Sequence, residues 1–297
     1  MIVVVTGASG LIGSALVTNL RAAGHEVRRL VRRRPAGDEE FGWDPPRHEI
    51  DDGVLDGADA VVNLAGAGIG DRRWSDDYKD LVRRSRLDST TTITDAITRR
   101  ADRPAVLLQG SAVGWYGDTG EDAVDETAPA GAGFLAELVR QWEAAAQPAA
   151  DAGVRVVRLR TGVVLSSDGG ALGKVLPLFK AGLGGRLGSG RQWMSWIALP
   201  DQIAAMRFLL DNPDIDGPVN LSAPEPVRNR DYTKAIARAV HRPALALVPP
   251  VALRLALGGF ADEGVLVSQR VLPARLEAAG FSFTYDDVDA ALRALVG

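Results

Sequence analysis

The stretch Ile2-Val3-Val4-Val5-Thr6-Gly7-Ala8-Ser9-Gly10-Leu11-Ile12-Gly13 decides how this chain is read. Its opening run of four β-branched residues has no alternating polar face and reads as a strand buried on both sides. Glycines follow at a spacing of three, and Leu11 to Ala23 then has the periodicity of an amphipathic helix. Strand, glycine turn and helix, in that order, aim backbone N–H groups and a helix N-terminus at a pyrophosphate. One glycine permits the tight turn, one lets the backbone approach the phosphates, and one lets the helix pack close to the strand. Gly7, Ser9, Gly10, Leu11, Ile12 and Gly13 are therefore expected to contact a dinucleotide. The expected fold class is α/β, a doubly wound parallel sheet with a smaller α/β C-terminal lobe.

The next strand tells which dinucleotide. Glu26 to Val31 reads as β, and it ends in Arg32-Arg33-Arg34-Pro35 with no acid before Asp38. At this place an NAD enzyme sets a carboxylate against the ribose 2′-hydroxyl. Arg32 and Arg33 suit a 2′-phosphate instead, through forked, charge-assisted hydrogen bonds, so NADP(H) is the expected cofactor. Trp43, in the following Trp43-Asp44-Pro45 turn, either covers the adenine end or packs structurally. Asp59 to Gly66 reads as another buried strand, whose end puts Leu64, Ala65 and Gly66 on the cofactor path. Residues 74 to 100 read as a helix from which Arg86 can reach back into the cleft.

Composition narrows the rest. The 297 residues are 46% hydrophobic and 24% charged, which fits a globular chain with a substantial core. Without cysteine there is no disulfide, thiolate nucleophile or thiolate metal site, and a reducing cytoplasm is the expected compartment. The histidines at 25, 48 and 241 have no metal-binding spacing. A net charge of −4 gives no field for nucleic acid, and the apolar runs are too short to span a membrane. Neither nucleic acid nor membrane is therefore an expected partner.

A strand at Ala105 to Gln109 leads into Gly110-Ser111-Ala112-Val113-Gly114-Trp115-Tyr116-Gly117. Ser111 is placed to hydrogen-bond a substrate oxygen, and Tyr116 to exchange a proton if its pKa is lowered. A helix from Gly133 to Asp151, broken near Pro148, precedes a strand at Val154 to Leu159 and a helix from Val175 to Leu183. Gly184 to Trp193 then reads as a mobile loop able to fold over a ligand. The lobe boundary falls near Asp168, giving a nucleotide-binding domain over 1–168 and a substrate lobe over 169–297. Gln269 to Ala279 reads as a helix and Phe281 to Thr284 as a short strand, before a last helix from Asp286.

TGASGLIG at 6–13 resembles the glycine loop of extended short-chain dehydrogenases/reductases, whose sheet is a Rossmann fold. The likeness sharpens toward the atypical, YfcH-like branch of epimerase family proteins. WDP at 43–45, NLAG at 63–66, SR at 85–86, GSAVGWYG at 110–117, WEAAA at 142–146 and GSGRQWMSWI at 188–197 all match that branch. From Pro249 onward, with SQRVLPARLEAAGF at 268–281, the chain looks like the small DUF1731-type domain that closes it. The resemblance implies NADPH held by the glycine loop, Arg32 and its neighbour, Leu64-Ala65 and Arg86, with substrate in the C-terminal lobe. Where the branch has WIH, this chain has Trp196-Ile197-Ala198 and lacks that imidazole.

One expected pair is missing. Ordinary members of the superfamily use Tyr and Lys at i and i+4 on one helix face, so that the ammonium lowers the phenol pKa. Here Tyr78, Tyr116, Tyr232 and Tyr285 are followed four residues on by Val82, Gly120, Ile236 and Asp289. Phe134 and Leu138 occupy the spacing on the helix where the pair belongs. Three readings stay open: an NADP-dependent oxidoreductase or sugar epimerase with Ser111, Tyr116 or Glu143 replacing the base, a non-catalytic NADP(H) sensor or scaffold, and a protein for another nucleotide.

Overall fold

Side chains that alternate between two buried faces explain how the first strand joins two layers. The computed structural model describes residues 1–296, which begin with β1 (Ile2–Thr6), α1 (Leu11–Ala22), β2 (Glu26–Val31), β3 (Glu40–Asp44), β4 (Glu49–Ile50), β5 (Ala60–Asn63), α2 (Asp76–Thr98) and β6 (Val106–Ala112). Then come β7 (Ala123–Val124), α3 (Phe134–Ala145), α4 (Gln147–Asp151), β8 (Arg155–Thr161), β9 (Val163–Ser166), α5 (Gly170–Lys180), β10 (Gly185–Leu187), β11 (Trp193–Met194), β12 (Trp196–Ala198) and α6 (Leu199–Asp211). The chain closes with β13 (Gly217–Leu221), β14 (Val227–Arg228), α7 (Asn229–Ala239), β15 (Ala246–Val248), α8 (Pro250–Leu257), β16 (Arg270–Val271), α9 (Ala274–Ala278) and α10 (Val288–Val296).

Eight strands form the central sheet in the order β13-β8-β6-β5-β1-β2-β3-β4, parallel except for β4. Val3 and Val5 pack with Leu16 and Leu20 of α1 and with Ile203, Met206 and Leu209 of α6. Val4 points the other way, into the layer holding Ile93 and Ile97 of α2. Both faces are thus covered, as an all-apolar strand requires. Strand order reverses between β1 and β5, and at such a switch the loops diverge and leave a crevice beyond the strand ends.

Several expectations are corrected. The division near Asp168 is not a break in the sheet. β13 lies beyond it, yet pairs with β8 along Gly217–Leu221 and completes the central sheet, because Val219 and Leu221 share its main core. β6 runs on to Ala112, since Ser111 and Ala112 remain in register with Arg160 and Thr161 of β8. Ser111 therefore stands in the strand, not in the turn after it. α5 starts at Gly170, five residues before the expected Val175, with Pro177 tolerated inside it.

The Gly184–Trp193 segment is pinned down. β10 pairs with β15, and the Asn229 side chain accepts from the Leu187 N–H at 2.9 Å. The Gln192 amide donates to the carbonyls of Leu187 and Val265. Gln269 to Ala279 divides into β16 and α9, because residues 268–272 hydrogen-bond to the chain on either side: Thr119 N–H donates to Ser268 O and Leu272 N–H to Val124 O, while Gln269 N–H donates to Trp193 O. Phe281 to Thr284 is not a strand. Phe281 packs edge-on against Phe283 and Phe208, and the Asp201 carboxylate accepts the N–H groups of Thr284 and Tyr285.

Candidate functional site

The glycine turn brings β1, α1 and the end of β5 into contact. Gly7 has φ +64°, and a Cβ on it would lie 2.8 Å from the Leu64 carbonyl. On Gly13 a Cβ would stand 2.2 Å from the Gly7 carbonyl oxygen, so only glycine lets α1 approach this closely. Gly10 N–H donates to Gly7 O at 2.9 Å and closes the turn. Gly10 is also the N-cap of α1 and offers no side-chain acceptor, and the first turn of that helix holds no acid. Its leading N–H groups, from Leu11 and Ile12, are left for an anion. Ser9 and Gly10 are exposed beside them.

A buried polar network fixes the opposite wall, and sequence reading does not flag it. Thr6 Oγ1 donates to Asn63 Oδ1 at 2.6 Å and accepts from the N–H groups of Leu64 and Ala65. Asn63 Nδ2, Gln109 Nε2 and Trp142 Nε1 converge on Thr90 Oγ1 at 3.0–3.2 Å. The turn Leu64-Ala65-Gly66 is thereby held against the glycine loop. A signal was there to be read: β1, β5 and the apolar part of β6 each end in one polar residue, Thr6, Asn63 and Gln109.

The arginines divide by role. Arg32 is exposed and makes no hydrogen bond or ion pair among the described residues. Arg33 instead grips Glu40 through two nitrogens at 2.6 Å, and Arg29 adds a third contact at 3.1 Å. The Arg33 guanidinium and the Ala36 N–H hold the Glu40 carboxyl at about 2. Arg33 thus braces its loop, leaving Arg32 beside it with free donors. The Arg86 guanidinium packs on Gly66, lies 5.1 Å over the Trp142 ring, and donates to Ala67 O and Val82 O at 3.0 Å. It has no carboxylate partner among the described residues, and burial lowers its pKa to about 10. Trp43 is 7% exposed in the core, which settles its role as packing.

Ser111 and Tyr116 meet in one buried cluster. Ser111 Oγ donates to Glu143 Oε1 at 2.6 Å, and Arg160 donates to both Glu143 oxygens at 2.8 and 3.1 Å. The third Arg160 nitrogen donates to the Tyr116 hydroxyl at 3.1 Å, and that hydroxyl donates to Asn220 Oδ1 at 2.7 Å. Arg160 also stacks 4.0 Å from the Trp115 ring. Burial by itself would depress the Arg160 pKa, but the hydrogen bonds and charge of Glu143 outweigh it and raise the value. For Tyr116 burial dominates and pushes the phenol up, so the lowered pKa that proton exchange needs is not met. Asn220 N–H in turn donates to Glu126, whose second oxygen is buried without a partner and whose pKa burial raises.

Phe134 and Leu138 add no polar group. They pack with Trp74, Tyr78, Val82 and Phe260, and Trp74 meets Phe134 edge-on at 5.2 Å.

The family model described as NAD dependent epimerase/dehydratase family matches residues 3–222. The chain belongs to this family. A second model, DUF1731, a domain of unknown function, matches residues 248–295 and accounts for the segment from α8 to α10. Epimerase family protein Mb2239 of Mycobacterium bovis is 50% identical over 98% of this chain and 96% of its own length. The chloroplastic SDR39U1 homolog of Arabidopsis thaliana, also named an epimerase family protein, is 40% identical over 100% of this chain and 87% of its own. Among solved structures, human epimerase family protein SDR39U1 with NADPH superposes with a TM-score of 0.92 at 32% identity, covering 100% of this chain and 99% of that one. UDP-glucose 4-epimerase of Thermus thermophilus with NAD, at 21% identity and a TM-score of 0.77 over 100% and 98% of the chains, shares the fold alone.

Proposed function

We propose that this epimerase-family chain binds NADP(H) and is an oxidoreductase, or a redox epimerase, acting on a small sugar-like substrate. The Ser111 Oγ–Glu143 Oε1 contact of 2.6 Å carries the proposal, because it sets a hydroxyl backed by a carboxylate at the C-terminal end of a central strand. Three features fit the dinucleotide: the uncapped N-terminus of α1 for the pyrophosphate, Arg86 as a buried cation without an acid partner, and Arg32 for the 2′-phosphate. When bound, NADP(H) supplies hydride exchange at a carbon bearing oxygen.

The chain's own residues supply the proton side. Ser111 keeps its lone pairs to accept a hydrogen bond from a substrate hydroxyl while its own proton points at Glu143. Proton loss from substrate passes to Ser111 as the Ser111 proton moves to Glu143, and carbonyl reduction reverses both moves. Arg160 anchors the carboxylate. Tyr116 positions Arg160 and relays no proton. A reducing cytoplasm suits a chain without cysteine.

The locked, high-pKa Tyr116 favours a second reading, a non-catalytic NADP(H) sensor. One experiment separates them. NADPH affinity is measured by fluorescence, and turnover is followed on a panel of sugars and small carbonyls for wild type, Ser111→Ala and Glu143→Gln. The proposal expects tight NADPH binding by all three and turnover by wild type alone. Binding without turnover on any substrate leaves the sensor, and no NADPH binding removes both readings.

A further inference from the structure

The C-terminal half of the chain contains two long stretches without a single acid. Residues 169–200 hold Lys174, Lys180, Arg186 and Arg191, and residues 232–261 hold Lys234, Arg238, Arg242 and Arg254, while the whole chain is net −4. The fold brings the two together. β10 from the first stretch pairs with β15 from the second, setting Arg186 beside Leu247, and Ala246 N–H donates to Gly184 O. Leu183 N–H donates to Leu178 O at the end of α5, and Pro250, which opens α8, approaches Gly188 just after β10.

This surface carries most of the large apolar side chains that the protein leaves in water. Leu245 is 90% exposed, Leu255 77%, Val251 72%, Leu183 67%, Leu247 54% and Leu178 53%. Elsewhere only Met1 and Leu81 are in this class among the described residues. Val251 and Leu255 stand at i and i+4 on α8, so they share its outer face. Six large apolar side chains each more than half exposed on one face mark a surface that meets something other than water. Lys180, Arg186 and Arg242 are exposed within it or at its edge, and none makes an ion pair among the described residues.

We infer that this face, made by the end of α5, β10, β15 and α8, lies on an anionic lipid bilayer, its leucines in the acyl boundary and its cations among the headgroups. Arg254 of α8 is paired with Asp262, but Lys180, Arg186 and Arg242 have no acid partner among the described residues, and exposed apolar side chains beside unpaired cations form the pattern of an interfacial membrane surface. A second copy of the chain fits less well. A two-fold contact sets the same patch against itself and brings Lys180, Arg186 and Arg242 against like charges, with Asp262 already taken by Arg254. No helix is long and apolar enough to cross a membrane, and a surface contact requires none. The sequence expectation of no membrane partner rested on the missing span alone. This inference is independent of the cofactor.

Vesicle sedimentation of the full chain tests it, using phosphatidylcholine alone and phosphatidylcholine mixed with phosphatidylglycerol. Protein is expected to pellet with the anionic vesicles only, and less so as salt is raised. Lys180→Gln/Arg186→Gln/Arg242→Gln weakens binding by about fivefold per cation, on the order of a hundredfold together. Leu245→Gln/Leu255→Gln lowers it by roughly tenfold or more. All changed residues are exposed, so unchanged melting and NADPH affinity show that the variants are folded. Failure to pellet with anionic vesicles overturns the inference, as does equal binding by wild type and variants. A dimer in light scattering that Leu245→Gln/Leu255→Gln dissociates assigns the face to a second copy instead.

Discussion

Replacing Arg160 by methionine attacks the buried charge on which the Ser111 site depends. The Arg160 side chain is 3% exposed and that of Glu143 is 7%, so their charges are largely removed from water. Arg160→Met leaves the Glu143 carboxylate with Ser111 Oγ as its remaining side-chain donor, and takes from Tyr116 one of its two hydrogen bonds. Breaking one side of such a pair costs about 3–5 kcal/mol, because the surviving charge stays buried. Methionine refills part of the volume beside Trp115, so little of the loss comes from a cavity. Urea unfolding at neutral pH should show this difference, and melting should fall by on the order of 10 °C. Adding Glu143→Gln removes the stranded charge while keeping an acceptor for Ser111. The double variant should therefore be more stable than Arg160→Met alone, with a coupling of about 2 kcal/mol. A loss under about 1 kcal/mol for Arg160→Met, or additive single effects, would refute the assignment of Glu143 as a carboxylate anchored by Arg160.

Other outcomes follow from the same structure. Arg32→Ala should weaken NADPH by about 1.5–3 kcal/mol in a fluorescence titration and leave NADH affinity unchanged, whereas Arg33→Ala should act less, because Arg33 is already engaged by Glu40. Equal losses for both nucleotides would remove the 2′-phosphate argument. Glu40, ordinarily near 4.5 and held at about 2, adds stability that is fully present above its ordinary value and is lost as pH falls toward 2. Glu40→Gln should thus flatten the acid limb of the urea midpoint between about pH 4.5 and 2, and an unchanged limb would count against the Arg33 clasp. Thr90→Val strands the buried Trp142 Nε1, takes one of two acceptors from Asn63 Nδ2 and Gln109 Nε2, and should cost about 1–3 kcal/mol, with cofactor affinity falling as the 64–66 turn loosens. A variant as stable as wild type would show that the network is dispensable.

The sequence by itself determined the cofactor end of the protein. A strand apolar on both faces, a three-glycine turn and an amphipathic helix are local patterns, and each residue's role follows from neighbours within a dozen positions. Gly7 and Gly13 stand where those patterns put them, and their close contacts explain why nothing larger fits. The arginines after β2 were equally legible as a group. Which of them is free was not, because Glu40 claims Arg33 from seven residues away and across a strand pair.

Tertiary structure alone decided the buried cluster around Ser111. Glu143, Arg160, Tyr116 and Asn220 come from α3, β8, the turn after β6 and β13, and no spacing in the chain announces that they meet. Burial then reversed the role expected of Tyr116, since a phenol placed among apolar groups holds its proton more tightly whatever its sequence context. The C-terminal lobe followed the same rule. Gln269 to Ala279 gave up its helical reading, because the segment pairs through its backbone with distant parts of the chain. Local pattern fixes where a helix begins at a phosphate, but hydrogen bonds between distant strands fix which side chains share a proton.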